Sequence, residues 1–104
     1  MEFENVMREI HEFVQANGWA RSGSEKPQTP RNLAASISIE AAELLECFQW
    51  SDHANQADLE NELADVLIYS LRFAQVLGID PLEAIHKKLD RNRRREWRRS
   101  SDEG

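Results

Sequence analysis

Apolar residues recur every three or four positions along most of this 104-residue chain, and that spacing limits its fold more than any other feature. A helix places residues with this period on one face, whereas a half-buried strand needs alternation at every second residue, which no segment shows convincingly. The pattern predicts helices over residues 3–14, 30–50 and 57–77, and a fourth that begins at residue 81 and continues into an arginine-rich segment. The fold class is therefore predicted to be all-α.

Turn-forming residues mark where these helices begin and end. Thr29 followed by Pro30 is typical of a helix start, with the threonine hydroxyl as N-cap and proline at the first helical position. Gly78 ends the third helix, and Pro81 follows shortly afterwards as the start of the fourth. The long irregular segment lies at residues 18–29, and such a loop in a small domain is more often functional than idle.

The length of the chain fits one small domain, which we place at residues 1–97, with a flexible tail over residues 98–104. Cys47 is the single cysteine, so an internal disulfide is excluded and a reducing cytoplasm is expected. No apolar run reaches the roughly 18 residues that cross a bilayer, and the first residues lack the order of a signal peptide. We therefore expect a cytoplasmic protein with no membrane partner.

The net charge of −6 is divided unevenly along the chain. Residues 1–86 carry 5 basic and 15 acidic side chains, a net charge of −10, whereas residues 87–104 carry 8 basic and 4 acidic ones, a net charge of +4. The acidic body argues against a nucleic-acid partner and suits metal capture. The basic end either binds phosphates or is a solvated helix end.

Two pairs of acidic residues, each with a spacing of three, lie on the second and third predicted helices. Glu40 with Glu43 and Glu62 with Asp65 each point two carboxylates to one side of a helix. Glu40 and Glu62 also border the apolar stripes, where helix packing desolvates a carboxylate at a cost unless it is paired or metal-bound. If the helices pack antiparallel, the four groups converge, and such an oxygen cluster favours a hard cation such as Mg²⁺.

The same acids allow other interpretations. They could be ordinary exposed acids paired with basic side chains, although Arg31 and Arg72 are the only basic residues on these two helices. A di-iron site needs Glu-x-x-His on two helices, whereas Glu43 and Asp65 occupy those positions here. A calcium loop is excluded because the acids lie on helices. Mg²⁺ or Mn²⁺ remains, and its usual work with such ligands is phosphate chemistry.

Four sequence segments together resemble a known family. They are PRNL at 30–33, EAAELLECFQW at 40–50, ELADVLIY at 62–69 and KLDRNRRR at 88–95. The chain is similar over residues 3–95 to the MazG-like all-α nucleotide pyrophosphohydrolases, and most similar to their dCTP pyrophosphatase branch. The resemblance implies a four-helix MazG-like fold that forms an oligomeric helical bundle. It also implies a homo-oligomer, expected to be a tetramer built as a dimer of dimers, in which neighbouring subunits complete each base pocket.

The resemblance also assigns a reaction to the acidic pairs. It implies that Glu40, Glu43, Glu62 and Asp65 hold Mg²⁺, for which Mn²⁺ could substitute, and that the metal grips a triphosphate. Water then attacks the α-phosphorus of a (d)NTP, expected to be dCTP or a modified dCTP, and yields a nucleoside monophosphate and pyrophosphate in nucleotide-pool sanitation. Glu40, Glu43 and Glu46 are the candidates for the catalytic base, although an exposed helix acid is an equally good account of Glu46.

Residues outside the acidic pairs match substrate-binding positions of the family. Trp19, Trp50 and Tyr69 match aromatic positions at which a planar pyrimidine can stack, although core packing accounts equally well for each tryptophan. Lys88 and Asn92 match positions that contact the nucleotide. The resemblance therefore predicts an enzyme whose basic fourth helix serves the same site as the acids.

The chain departs from the dCTP pyrophosphatase pattern in the region expected to contact the base. The stretch between Trp19 and Pro30 is longer, Gln28 replaces a family histidine, and His11 lies one place from another when Phe13 is kept in register. Two functions other than catalysis are compatible with the sequence. One is a catalytically inactive nucleotide-sensing helical interaction module, and the other is a purely structural helical oligomer.

Overall fold

The structure, a computed structural model, describes residues 1–18 and 27–103. Within these ranges the chain forms helices and no strands, which confirms the all-α prediction. The helices of the described residues are α1 (Phe3–Ala16), α2 (Pro30–Glu46), α3 (Gln56–Leu77) and α4 (Pro81–Glu103).

The start of α2 and the end of α3 are formed by the local interactions that the sequence predicts. Thr29 Oγ1 accepts a hydrogen bond from the backbone N–H of Asn32 at 3.2 Å, and Pro30 occupies the first turn. Asn55 caps α3 in the same way, by accepting from two N–H groups of the first turn. Gly78 ends α3 with a φ of 67°, a left-handed conformation that glycine adopts without steric cost.

The predicted end of α2 at Trp50 is wrong, because the helix stops at Glu46. The backbone N–H groups of Cys47, Phe48 and Gln49 donate to carbonyls three residues back, at 3.2, 2.9 and 3.1 Å. These tighter turns replace the α-helical pattern, as is common at helix ends. Trp50 consequently lies beyond the helix.

The helices pack around a small core in which α3 is central. It lies mainly against α2, and α1 packs on it to a lesser extent. The buried apolar side chains among the described residues are Ile10, Val14, Leu33 and Ala74. Leu63 and Leu67, which belong to the predicted apolar stripe of α3, remain 47% and 51% exposed. One chain therefore leaves part of its apolar surface uncovered.

Helix α4 makes no extensive contact with the other described helices. Its apolar residues Leu82, Ile85 and Leu89 are 54%, 55% and 47% exposed. The Cα radius of gyration is 17.5 Å, against about 13 Å for a compact domain of roughly 100 residues. The backbone of α4 is helical through residues 98–103. Whether this predicted tail is flexible stays a prediction. No helix in the described ranges is long and apolar enough to cross a membrane.

Candidate active site

Packing of α2 against α3 brings three of the predicted acids into one cluster. Glu40 on α2 and Glu62 and Asp65 on α3 each offer a carboxylate oxygen, and these oxygens lie within 4.8 Å of one another. All three side chains are half-buried. The spacing of three residues within each pair places the second acid of the pair on the same side of its helix. The geometry is that of a pocket of oxygen ligands between two helices.

The fourth acid, Glu43, stands beside this cluster and contributes to its electrostatics. Burial, followed by the neighbouring Glu43, Asp65 and Glu62 carboxylates, raises the pKa of Glu40 from 4.5 to about 7. Burial and the same Glu43 and Asp65 groups also raise the pKa of Glu62 above its ordinary value. Desolvation and like charge both disfavour an ionised carboxylate. The cluster is therefore strained by its own negative charge.

Two oxygens of the cluster are buried without a partner. Glu40 Oε2 and Glu62 Oε2 accept no hydrogen bond from the part of the chain that the structure describes. Buried polar atoms are normally satisfied, so two unpaired carboxylate oxygens at one point need a cation or a proton. An all-oxygen donor set fits a hard divalent ion. The residues present fit the metal that the sequence implies.

The described residues offer these acids no basic partner. The ion pairs of the described chain are Lys87 with Glu83 and Arg94 with Asp90, and both lie on α4. Ordinary surface pairing, the alternative interpretation of the acids, therefore does not describe their environment.

A cavity of about 540 Å³ opens beside the cluster. Asp65 and Tyr69 of α3 line it, so the acids and the cavity share a wall. The opposite wall is formed by apolar residues of α1 such as Ile10 and Val14. Burial, followed by Glu40, Asp65 and Glu43, raises the pKa of the Tyr69 hydroxyl. This tyrosine thus lines the cavity close to the acids, and its ring is a surface on which a planar group can stack.

Four other predicted site residues lie outside the cluster and are exposed among the described residues. Glu46 is exposed at the last position of α2, and Trp50 is 90% exposed beyond that helix. Lys88 and Asn92 are exposed on α4, which packs little against its own α2 and α3. Trp19 lies outside the described residues.

Arg72 is a polar residue of the cavity that the sequence reasoning did not assign to the site. It is only 7% exposed, lines the cavity and contacts both His11 and Gln28. Both are among the positions at which the sequence is expected to depart from the dCTP pyrophosphatase pattern. The available signal was helical spacing, because Asp65, Tyr69 and Arg72 follow at intervals of four and three and share one face of α3.

Sequence comparison relates the chain to nucleotide-cleaving proteins. It is 34% identical over 102 residues to dCTP pyrophosphatase 1 of Rattus norvegicus, an alignment that covers 88% of this chain and 57% of the relative. The chain thus spans little more than half the length of that relative. It is also 51% identical over 41 residues to a dATP/dGTP diphosphohydrolase of cyanophage S-2L, which covers 39% of either chain.

Comparison of structures and family models agrees with this relationship. The chain superposes on a pyrophosphatase from Archaeoglobus fulgidus with a TM-score of 0.77 and 40% identity, covering 88% of this chain and 89% of that one. Residues 35–103 match the model of the MazG-like family. The resemblance that the sequence motifs predict is confirmed, and the chain belongs to the MazG-like family.

Proposed function

We propose that this chain is a Mg²⁺-dependent nucleoside triphosphate pyrophosphohydrolase that cleaves a (d)NTP, dCTP or a modified dCTP, to a nucleoside monophosphate and pyrophosphate. The observation that carries the proposal is the pair of buried, unpartnered oxygens of Glu40 and Glu62 within the acidic cluster. The names of the similar proteins, a dCTP pyrophosphatase and a dATP/dGTP diphosphohydrolase, support the reaction class. The biological role would be sanitation of the nucleotide pool in the cytoplasm.

The acids are assigned to binding the metal. Glu40, Glu43, Glu62 and Asp65 would hold one or more divalent ions, Mg²⁺ or its substitute Mn²⁺, from opposite sides of the α2–α3 contact. When bound, such an ion neutralises phosphate charge and lowers the pKa of a coordinated water. Without a bound ion, the negative charge of the acids would repel a triphosphate, so the ion is also needed for the substrate to bind.

The reaction balances as a simple displacement. A water oxygen forms a bond to the α-phosphorus while the bond from this phosphorus to the oxygen bridging to the β-phosphorus breaks, and pyrophosphate leaves with that oxygen. A carboxylate of the site takes the water proton, with Glu40, Glu43 and Glu46 as candidates. Glu43 lies against the cluster, whereas Glu46 is exposed, so the geometry of the single chain favours Glu43 over Glu46.

The base of the nucleotide is assigned to the cavity. Tyr69 offers a ring face there beside Asp65, and the apolar α1 wall suits a flat, uncharged heterocycle. Trp19 and Trp50 are assigned to stacking on the same base. Trp50 is 90% exposed in the single chain, so this role requires that binding or assembly covers it.

The remaining substrate contacts are assigned to a neighbouring subunit. Lys88 and Asn92 would bind the triphosphate, yet α4 packs little against the helices α2 and α3 of its own chain. The uncovered apolar side chains of Leu82, Ile85 and Leu89 on the same helix support burial of α4 against another copy. We therefore propose a homotetramer, a dimer of dimers, whose α4 helices complete the sites of neighbouring subunits. Each subunit would be a single domain over residues 1–97.

The test is product analysis with a panel of nucleotides. Purified protein with Mg²⁺ is incubated with each common NTP and dNTP, and pyrophosphate and orthophosphate are measured separately. Release of pyrophosphate by the wild-type protein and by a Glu12→Ala control, but not by Glu43→Ala, is expected, because Glu12 is exposed on α1. Absence of hydrolysis across the panel refutes the proposal, and metal-dependent binding without product identifies the nucleotide-sensing module instead.

A further inference from the structure

Arg72 is buried without a carboxylate partner, which is unusual for a charged side chain. It is 7% exposed, and no ion pair of the described residues involves it. Burial lowers the pKa of its guanidinium, and the side chains that it contacts are Gln28, His11 and Gln75, none of which is acidic. A buried charge is costly when neutral groups alone surround it. Its surroundings therefore leave room for a stronger acceptor than those that the described chain supplies.

Three hydrogen bonds to neutral groups hold the guanidinium in one orientation. Its Nε donates to Gln28 Oε1 at 3.2 Å, and its Nη1 lies 3.1 Å from His11 Nδ1 and donates to Gln75 Oε1 at 3.0 Å. Gln75 is anchored in turn, because its Nε2 donates to the Met7 carbonyl at 2.6 Å. These contacts tie α3 to α1 and to the residues preceding α2.

The chemistry of these contacts fixes the roles of the partner atoms. An arginine N–H is always a donor, so each partner atom must accept. His11 Nδ1 therefore carries no proton in this contact, and the oxygen of Gln28, not its nitrogen, faces Nε. His11, Gln28 and Gln75 act as positioning residues for Arg72.

The Nη2 nitrogen of Arg72 takes no part in these three hydrogen bonds. None of the hydrogen bonds that Arg72 makes within the described ranges uses its two N–H groups. Arg72 also lines the cavity next to Asp65 and Tyr69. The uncommitted Nη2 thus belongs to a residue of the cavity wall, one helical turn beyond the tyrosine.

We propose that Arg72 is a specificity-determining residue that donates from Nη2 to a carbonyl oxygen of the nucleobase, so that the site prefers carbonyl-bearing bases, cytosine among them, to adenine. Adenine has no carbonyl group, whereas cytosine, thymine, uracil and guanine each have at least one. The inference rests on the proposed function, because it takes the cavity as the base pocket.

A phosphate is a poorer occupant of this position than a base. Glu9, which is not among the proposed metal ligands, lines the same cavity and would repel an anion. Ile10, Val14 and Ile68 contribute apolar walls that suit a flat neutral ring. The acceptor that satisfies Nη2 is therefore assigned to the uncharged base, and phosphate contact becomes an outcome that the test can distinguish.

The test measures binding, not turnover, and uses the full chain with nucleoside monophosphates as probes. Affinities for dCMP and dAMP are compared, because the two share sugar and phosphate and differ only in the base. Wild-type protein is compared with Arg72→Gln, with Arg72→Lys, and with Arg8→Gln as the control, since Arg8 is exposed on α1. Circular dichroism checks that each variant is folded.

The wild-type protein and Arg8→Gln are expected to prefer dCMP to dAMP by about tenfold or more, the effect of one hydrogen bond to a charged group. In Arg72→Gln this preference should fall to less than about threefold, through weaker dCMP binding. Arg72→Lys should lose most of it, because lysine keeps the charge but not the planar fork. An equal loss for both nucleotides, which a phosphate contact or a merely structural role would give, overturns the proposal, as does an unchanged or absent preference.

A second measurement covers the case in which the variants do not fold. In wild-type protein with ¹⁵N-labelled arginine, dCMP should shift the Arg72 side-chain resonances, whereas inorganic phosphate should leave them unmoved. The reverse result overturns the assignment. A protein that binds dCMP selectively yet hydrolyses no triphosphate would contradict the proposed function and leave the role of Arg72 intact.

Discussion

Replacing Glu40 by glutamine tests the electrostatics of the acidic cluster, because the change should stabilise the metal-free protein while removing a proposed metal ligand. Burial and the neighbouring Glu43, Asp65 and Glu62 raise the pKa of Glu40 from 4.5 to about 7. The unfolded chain loses this proton near its ordinary pKa, whereas the folded chain holds it to higher pH. Ionisation of Glu40 thus costs the fold nothing below pH 4.5, an increasing amount between 4.5 and about 7, and a constant amount above that.

The size of the effect follows from the same shift. A pKa raised from 4.5 to about 7 corresponds to at most about 3 kcal/mol, and solvent screening of a partly exposed carboxyl reduces this to about 1–2 kcal/mol. Glutamine keeps the shape and removes the charge, so Glu40→Gln should recover this free energy of unfolding at pH 8.

Urea denaturation in EDTA, at pH 8 and again at pH 5, measures the change. Glu12→Gln is the matched control, because it removes one charge from an exposed position on α1. A gain for Glu40→Gln that exceeds the control at pH 8 and shrinks at pH 5 is expected. Equal stability of the two variants at pH 8, or a gain that does not depend on pH, would show that ionised Glu40 does not destabilise the fold. Mg²⁺ should then raise the melting temperature of the wild-type protein and not that of Glu40→Gln.

Three further predictions concern metal binding, the core and assembly. Asp65→Asn should keep the fold but lose the Mg²⁺-induced rise in melting temperature. If Mg²⁺ raises the melting temperature of this variant as much as that of the wild-type protein, Asp65 is not a metal ligand. Leu33 is 1% exposed, so Leu33→Ala should lower the free energy of unfolding by about 2–4 kcal/mol. Leu45 on the same helix is 71% exposed, so Leu45→Ala should lower it little; urea denaturation measures both. Ile85→Asp on α4 should lower the mass measured by light scattering from that of a tetramer; a wild-type monomer, or a variant of unchanged mass, would contradict the proposed assembly.

The acidic cluster was accessible from sequence because it depends on short spacings. Residues three apart share a side of a helix, and Glu40 and Glu62 both border an apolar stripe. Once the two stripes face each other, the acids at their borders must meet. The periodicity that predicted the helices therefore also predicted where the carboxylates converge, and the structure places oxygens of Glu40, Glu62 and Asp65 within 4.8 Å of one another.

A helix end can be predicted from sequence where a residue at that end fixes it by a local hydrogen bond. Thr29 caps α2 by accepting a hydrogen bond from the backbone N–H of Asn32, and both partners lie within four consecutive residues. The other end of α2 depends on competition between hydrogen bonds to carbonyls three and four residues back, at Cys47 and Phe48. No residue type in that stretch decides the competition, so the sequence prediction ran on to Trp50.

Arg72 could not be placed from local pattern because its partners are remote. Gln28 lies 44 residues away in sequence and His11 lies 61 away. Spacing shows that Arg72 shares a face with Tyr69, but only packing of α1 against α3 shows what surrounds it. The same limit applies to α4, where periodicity predicts an apolar face containing Ile85 and does not identify the surface that covers it.

Hydrolysis of dCTP in H₂¹⁸O, followed by ³¹P NMR and mass spectrometry, tests the central claim most directly. Wild-type protein and Glu43→Ala are run side by side with Mg²⁺. Wild-type protein alone should give equal amounts of dCMP and pyrophosphate, with ¹⁸O in the dCMP, if water attacks the α-phosphorus at the acidic site as proposed. Formation of dCDP and orthophosphate, ¹⁸O in the pyrophosphate, or undiminished turnover by Glu43→Ala would contradict it.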